Sequence, residues 1–322
     1  MSLYTLLADI GGTNTRVALA RDGAVQPDTI RRYPNADYPA LEPILTGYMA
    51  QSGVAHLAGA CVAAAGPVRD GVATMTNLNW VFEEAALAGA LRADRVAVLN
   101  DLQAQGYALG HLAPDTLREI LPGAPARPGA SQLVIGIGTG FNAAPVHDGP
   151  GGRVVAPSEC GQITLPTLTD EEIRLRRFIE HQHGFACVEE ILSGRGVAQV
   201  HAFLRAEAGE AAQPPLDTAA IMAAFKAGDP IAVRTAQLFV RLMGAVVGDL
   251  ALIHLPFGGI HLIGGVARAF APWLRACGFD EAFRAKGRFS DFLAAFPVSV
   301  IEDDYAALTG CAIHLRNRLR EG

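Results

Sequence analysis

The chain has 322 residues, half of them hydrophobic, and a net charge of −6. This length and apolar content allow a large buried core, so a globular α/β protein is the default expectation, and nothing resembles a basic patch for nucleic acid or an anionic membrane. The five cysteines are widely spaced and odd in number. They predict reduced thiols in a cytoplasmic protein, without a zinc site or a disulfide framework.

The first predicted element is a strand, a glycine turn and a second strand. Residues 3–8 form an apolar run, and residues 15–20 alternate as a strand does. The sequence Asp9-Ile10-Gly11-Gly12-Thr13-Asn14 lies between them. A Walker loop or a dinucleotide fingerprint would open a helix, and none follows here.

This hairpin is suited to bind a phosphate. Gly11 and Gly12 let backbone N–H groups approach an anion, and Thr13 and Asn14 add side-chain donors. Asp9 supplies a carboxylate where a nucleotide-bound Mg²⁺ could sit, directly or through water. An ordinary hairpin with two turn glycines explains the same residues equally well.

Helical and strand patterns alternate in the next segment. We predict helices over residues 40–51 and 83–91, and strands over residues 59–65, 72–76 and 95–99. This alternation is typical of a sheet with helices on both faces.

Asn100 and Asp101 end the last of these strands and precede a candidate helix over residues 102–112. By the local pattern alone, either side chain is a candidate N-cap of that helix. The proline-rich segment at residues 114–128 then breaks the pattern, and we place a domain boundary there.

Two more strands run into clustered glycines, at residues 132–140 and 259–265. The glycine spacing of the first lacks the helix of a dinucleotide-binding loop. The apolar stretch at residues 242–255 is too short to span a bilayer and is interpreted as half of a buried helix. The remaining predicted helices cover residues 171–183, 188–192, 196–207, 218–226, 229–255 and 306–320.

The order of these motifs resembles that of bacterial glucokinases, in the hexokinase, heat-shock chaperone and actin-like ATPase superfamily, over nearly the whole chain. The matching stretches are residues 9–16 (first phosphate loop), Thr76-Asn77-x-x-Trp80, 98–101 (sugar and base motif), 138–140 (second phosphate loop), 263–266 (adenosine motif) and 286–289.

The resemblance implies a two-lobed actin-like ATPase (ribonuclease H-like) α/β fold, with mixed sheets flanked by helices. Residues 1–112 would form a small domain completed by the C-terminal helix, residues 303–322, and residues 113–302 a large one. The implied activity is ATP- and Mg²⁺-dependent phosphorylation of a hexose, with glucose converted to glucose 6-phosphate. A homodimer is also suggested by the resemblance.

The resemblance assigns roles to individual residues, with Asp101 as the general base. The implied sugar ligands are Asn100, Asp101, Glu159, Gln162 and Glu189. The implied nucleotide ligands are Asp9, Gly11, Gly12, Thr13, Asn14, Gly138, Thr139, Gly140, Gly264 and Gly265. Asp9 is also the implied contact for Mg²⁺.

The sequence departs from the family pattern near these residues. Gln162 stands where the family has histidine, and a glutamine donates a hydrogen bond but cannot become cationic. The second phosphate loop continues with Asn142 instead of a glycine, and Asp303-Asp304-Tyr305-Ala306 also differs. These departures leave two alternatives open, a non-catalytic sugar-binding or sensing relative and a kinase for a different hexose.

Overall fold

The structure, a computed structural model, describes residues 3–75, 78–210 and 214–320. The chain divides into two compact units, unit 1 comprising Met1–Pro114 with Asp303–Gly322 and unit 2 comprising Asp115–Glu302. Thr76 and Asn77 of the predicted family stretch lie outside the described residues. Trp80, which ends that stretch, is buried in the core of unit 1.

Unit 1 is an α/β unit whose elements are numbered along the whole chain. Its strands are β1 (Tyr4–Ile10), β2 (Asn14–Arg21), β3 (Ala24–Val25), β4 (Arg31–Pro34), β5 (Gly59–Ala64), β6 (Val68–Arg69), β7 (Val72–Thr74), β8 (Val81–Glu83) and β9 (Val96–Asn100). Its helices are α1 (Leu41–Ser52), α2 (Glu84–Leu91), α3 (Asp101–Ala108) and the C-terminal α12 (Ala306–Arg320).

The main sheet of unit 1 has the order β3-β2-β1-β5-β9, with β4 paired to β2. Side chains alternate across it, so Leu6 and Ala8 pack with α1 and α2 while Leu7 packs with α12. Strands β1, β5 and β9 run parallel. Their carboxyl ends therefore meet at one edge of the sheet, and Asp9 and Asn100 both lie there.

Unit 2 is a second α/β unit, built on a mixed sheet of order β10-β15-β14-β11-β12-β13. Its strands are β10 (Leu117–Leu121), β11 (Gln132–Ile137), β12 (Phe141–Gly149), β13 (Gly152–Val155), β14 (Gly259–Ile263) and β15 (Val298–Ile301). Its helices are α4 (Asp170–His183), α5 (Val188–Ile191), α6 (Gly194–Glu207), α7 (Thr218–Lys226), α8 (Pro230–His254), α9 (Gly265–Phe270), α10 (Phe279–Arg284) and α11 (Ser290–Leu293).

The long helix α8 is the centre of the unit 2 core. It begins as predicted, with the Asp229 side chain accepting a hydrogen bond from the N–H of Ala232 at 2.8 Å and Pro230 in the first turn. A Cβ at Gly244 would lie 2.6 Å from the carbonyl oxygen of Phe279, so the absence of a side chain lets α10 pack closely. Among the described residues α8 alone is long and apolar enough to cross a membrane, but 72% of its apolar window is buried, as in a core helix.

Three predictions for local structure were incomplete or wrong. The segment at residues 114–128 contains β10, and no strand was predicted at its antiparallel partner, β15. Both strands are short, and Arg118 and Glu119 interrupt the apolar pattern of β10. Helix α3 ends at Ala108 and not at residue 112, and Gly110 adopts a left-handed φ of +81° just beyond it.

Candidate functional site

The hairpin between β1 and β2 presents a bare glycine turn. The N–H of Gly11 donates to the carbonyl oxygen of Asn14 at 3.0 Å and closes the turn, while Gly12 and Thr13 are exposed. A Cβ at Gly11 would meet only the Asn14 oxygen, at an ordinary 3.5 Å. The hairpin itself therefore does not require glycine at position 11, and the missing side chain instead leaves backbone N–H groups open to a ligand.

Asp9 lies at the end of β1, directly opposite Arg16 on β2. Nη1 of Arg16 donates to Oδ2 of Asp9 at 3.0 Å. Burial raises the pKa of Asp9, and the guanidinium of Arg16 opposes that effect. Asp9 thus places a carboxylate beside the glycine turn, and Arg16 compensates part of its negative charge.

Asn100 and Asp101 form the start of α3. Asn100 is the N-cap, because its Oδ1 accepts from the N–H of Leu102 at 3.0 Å and the Gln103 side chain accepts from the N–H of Asn100. Its Nδ2 donates to the carbonyl oxygen of Gly66 at 3.1 Å. The cap interpretation is therefore correct for Asn100, and Asp101 follows as the first helical residue.

The carboxyl group of Asp101 is strongly perturbed. Burial and the nearby charge of Asp9 raise its pKa to about 7, against the opposing effect of hydrogen bonds from the N–H groups of Leu102 and Asp101. The side chain remains partly exposed. A reachable carboxylate that titrates near neutrality has the properties of a general base.

In unit 2, Glu159, Gln162 and Glu189 form a cluster that we name the glutamate site. Oε2 of Glu189 accepts from the N–H of Phe141 at 2.9 Å, and Oε1 lies 3.4 Å from Nε2 of Gln162. A Cβ at Gly140 would lie 2.5 Å from Oε2 of Glu189. The glycine therefore makes room for the carboxylate that is held at the end of the second phosphate loop.

Glu159 completes the glutamate site with a second carboxylate. Burial and the charge of Glu189 both raise the pKa of Glu159. The carboxylate of Glu189 is therefore near enough to act on Glu159, which itself is exposed. Two acceptors beside a donor amide suit a ligand with several hydroxyl groups.

The predicted second phosphate loop and the predicted adenosine motif are neighbours in unit 2. A Cβ at Gly138 would lie 3.9 Å from the nitrogen of Gly265 and 4.0 Å from Cα of Gly264. Gly264 has a φ of +101° and lies against the carbonyl of Ile137, so a side chain there is excluded. Thr139 and Gly265 are exposed, so the two neighbouring segments are both accessible to a ligand.

Comparison with known proteins places this geometry in a family. The family model described as Glucokinase matches residues 6–318. The glucokinase of Cupriavidus metallidurans is 37% identical over 321 residues, covering 99% of this chain and 95% of that protein. The solved glucokinase of an Antarctic psychrotroph is 30% identical with a TM-score of 0.86, and the match covers 98% of this chain and 99% of that one.

The chain belongs to the glucokinase family. A ROK family glucokinase from Streptomyces griseus, solved with glucose and AMPPNP, has the same fold at 20% identity, with a TM-score of 0.64 and coverage of 99% and 100%. The predicted family, the predicted actin-like α/β fold class and the predicted enzyme class, an ATP-dependent hexose kinase, are confirmed.

Asn142, one of the departures from the glucokinase pattern, contacts the segment that precedes Gln162. Oδ1 of Asn142 accepts from Oγ of Ser158 at 3.0 Å and from the N–H of Cys160 at 3.2 Å, and its Nδ2 donates to the carbonyl oxygen of Ser158. Asn142 lies on β12, and its hydrogen bonds therefore hold the segment that carries Glu159 against this strand. The asparagine that departs from the family pattern therefore makes its own hydrogen bonds to the segment at residues 158–160.

Asn35 was not predicted as a functional residue, although it supports the glycine hairpin through hydrogen bonds. This buried side chain accepts from Oγ1 of Thr15 at 2.8 Å and donates from Nδ2 to the carbonyl oxygen of Gly11 at 2.8 Å. Its backbone N–H donates to the carbonyl oxygen of Thr13 at 2.9 Å. The only signal in the sequence was a polar residue beside Pro34, because the pairing of β4 with β2 is not local.

The described residues contain no group of three or more His, Cys, Asp or Glu side chains arranged to hold a metal ion. Asp9 offers one carboxylate, of which Oδ2 is bound to Arg16. This carboxylate lies near enough to Asp101 to act on its pKa, and a single protein carboxylate fits a Mg²⁺ ion that takes its other ligands from nucleotide phosphates and water.

Proposed function

We propose that this chain phosphorylates a hexose, with glucose as the first candidate, and that Asp101 is the general base. The observation that supports this most is the placement of Asp101 in the same unit as the bare glycine hairpin, with a pKa of about 7. The unprotonated carboxylate accepts the proton of the attacking sugar hydroxyl as the new oxygen–phosphorus bond forms and ADP leaves.

The nucleotide is bound mainly by backbone groups in this proposal. The N–H groups of the hairpin and the donors of Thr13 and Asn14 hold phosphate oxygens, and the second phosphate loop, residues 138–140, does the same from unit 2. Gly264 and Gly265 accommodate the adenosine. Mg²⁺ bound to the phosphates would neutralise their charge, and Asp9 would hold it, directly or through water.

The sugar is bound by side chains that each offer an acceptor or a donor. Asn100 remains at the end of β9 through its capping contacts, and Glu159, Gln162 and Glu189 offer acceptors and an amide to the hydroxyls. The proposal requires the groups of both units to act on the same pair of substrates. Residues 1–112 with 303–322 and residues 113–302 would then be the two lobes of the enzyme.

A coupled assay of ADP release over a panel of hexoses tests the proposal. We expect turnover with glucose and loss of turnover in Asp101→Asn, with glucose binding by calorimetry retained. Turnover with another hexose alone would correct the substrate. Calorimetric sugar binding without ATP binding or turnover would contradict the proposal and would support the alternative of a non-catalytic sugar-binding relative.

We also propose that this enzyme acts in the cytoplasm as a homodimer and has neither nucleic acid nor membrane as a partner. The interspersed charges and the net charge of −6 support the latter part. Sedimentation velocity at micromolar concentration tests the dimer, and a single monomer boundary would contradict it.

A further inference from the structure

Arg195 is a cation beside the glutamate site and has no counterpart among the predicted functional residues. Its Nη2 donates to Oε1 of Glu189 and to Oε1 of Glu190, both at 3.0 Å. The residue lies in the first turn of α6, where the helix dipole disfavours positive charge. The two carboxylates therefore hold the guanidinium in this position, and the helix does not.

The second of these carboxylates is itself anchored. Oε2 of Glu190 accepts from Nε2 of Gln199 at 2.9 Å and lies 3.8 Å from Nε2 of His183. Glu190 thus keeps Arg195 near the glutamate site even when Glu189 engages another partner. The guanidinium side chain is still 53% exposed, so it is accessible to a ligand.

Glu189 has little remaining capacity to accept hydrogen bonds. Its Oε1 contacts Arg195 and Gln162, and its Oε2 accepts from the N–H of Phe141. Since each carboxylate oxygen accepts about two hydrogen bonds, one acceptor position remains, on Oε2. A hydroxyl group can use this position without displacing Arg195.

The local charge determines which hexose is favoured. Glu159 and Glu189 place two carboxylates at the proposed sugar site, and on their own they would attract a protonated amine strongly. Arg195 puts a positive charge directly on Glu189, and its exposed guanidinium lies beside the proposed sugar site. Without Arg195 the carboxylates of Glu159, Glu189 and Glu190 would lack this compensating cation and would attract an ammonium group more strongly. A neutral hydroxyl group is affected much less.

We propose that Arg195 is a specificity-determining residue that weakens the binding of protonated amino sugars and so shifts the preference of the site towards neutral hexoses. The inference rests on the proposed function, because it takes the glutamate site as the sugar site. It concerns the charge of the substrate and so applies to an amine at any ring position near Glu189.

The test compares kcat/KM for glucose with that for 2-amino-2-deoxyglucose and 3-amino-3-deoxyglucose, at a pH where both amines are protonated. We expect Arg195→Gln to reduce the preference for glucose about 5- to 10-fold, as the loss of roughly 1 kcal/mol of charge repulsion implies. Arg195→Lys, which keeps the charge, should retain the preference. Both values of kcat/KM are measured on the same preparation. Inactive protein therefore lowers both by the same factor and does not change their ratio.

Two controls isolate the charge effect. The ratio of glucose to uncharged 2-deoxyglucose should be unchanged in Arg195→Gln, and Arg174→Gln, which removes an exposed arginine paired with Glu207, should leave every ratio unchanged. An unaltered amino-sugar ratio in Arg195→Gln, or an equal change with 2-deoxyglucose, would overturn the inference while leaving hexose kinase activity established. Absence of turnover with every hexose in the unmodified protein would instead defeat the proposed function.

Discussion

The carboxylates of Asp9 and Asp101 are near enough in unit 1 for the charge on Asp9 to raise the pKa of Asp101. Asp9 lies near the end of β1 and Asp101 directly follows β9, and these parallel strands are separated in the sheet by β5. Burial contributes more than this charge, and together they bring the pKa to about 7. Arg16 compensates part of the charge on Asp9 and so allows both acids to remain at one edge of the sheet.

This relationship predicts the acid side of the pH–rate profile. Because the base must be unprotonated, kcat/KM for the hexose should rise with pH and reach half its plateau near pH 7. Asp101→Asn should lower kcat about 10²- to 10⁴-fold. Initial rates at saturating ATP and magnesium measure both effects, and a variant that keeps a tenth of the activity would disprove the assignment of the base.

The same pKa shift predicts a change in stability. The folded-state pKa of Asp101 is raised to about 7 from 3.8, so its stabilising contribution is complete below pH 3.8 and is lost as the pH rises through 7. The amide in Asp101→Asn cannot ionise, so the variant does not lose this stability as the pH rises. The Tm of the variant should therefore exceed that of the unmodified protein at pH 8 and approach it at pH 4, by thermal unfolding at both pH values, whereas a lower Tm at pH 8 would contradict the shift.

Asn35→Leu should weaken ATP binding through the glycine hairpin. The change leaves the carbonyl of Gly11 and the hydroxyl of Thr15 without their partner, at a cost of about 1–3 kcal/mol for an unsatisfied group. We expect a higher KM for ATP and an unchanged calorimetric Kd for glucose. Thr235→Val, which removes a buried hydroxyl hydrogen bond within α8, should lower Tm without raising the KM for ATP.

A Thr15→Val and Asn35→Leu double-mutant cycle makes this prediction sharper. Since the double variant removes both members of the hydrogen bond, the two losses should be less than additive by about 0.5–3 kcal/mol. Strictly additive losses of unfolding free energy, measured by urea unfolding, would show that this hydrogen bond does not couple Thr15 and Asn35.

Gly140→Ala should impair sugar binding. The added Cβ would lie 2.5 Å from Oε2 of Glu189 and would move that carboxylate away from the N–H of Phe141. We expect the KM for glucose to rise about tenfold, which corresponds to roughly 1.4 kcal/mol. Gly149→Ala, at the other end of β12, adds a Cβ with nothing within 4 Å and should leave KM unchanged. An unaltered KM for glucose in both variants would show that Glu189 is not part of the sugar site.

Gly310→Ala should destabilise unit 1 through the crossing of α12 and α3. The new Cβ would overlap the carbonyl oxygen of Ala104, which is backbone and cannot move aside. We expect a loss of about 3 kcal/mol in the free energy of unfolding, at the upper end for overpacking. Gly89→Ala, exposed on α2 with no atom within 4 Å, should instead stabilise the protein by about 0.5–1 kcal/mol. Equal stabilities in urea unfolding would contradict this account.

The sequence by itself determined the motifs and, through their order, the family. Glycine turns after apolar strands, a capped helix at Asp229 and an Asn100-Asp101 pair at a strand end are local patterns, and local patterns can be recognised without coordinates. The same reasoning missed β10 and β15, because strands this short are distinguished only by the partner with which they pair.

Only the tertiary structure decided how the functional groups affect one another. The hydrogen bond between Asn35 and Gly11 joins residues 24 positions apart in the sequence, and the bond between Phe141 and Glu189 joins residues 48 positions apart. Burial and distance between charges, which set the pKa of Asp101 and place Arg195 on Glu189, are properties of the folded arrangement. No spacing of residues along the chain encodes them, because they arise when strands and helices distant in sequence pack together.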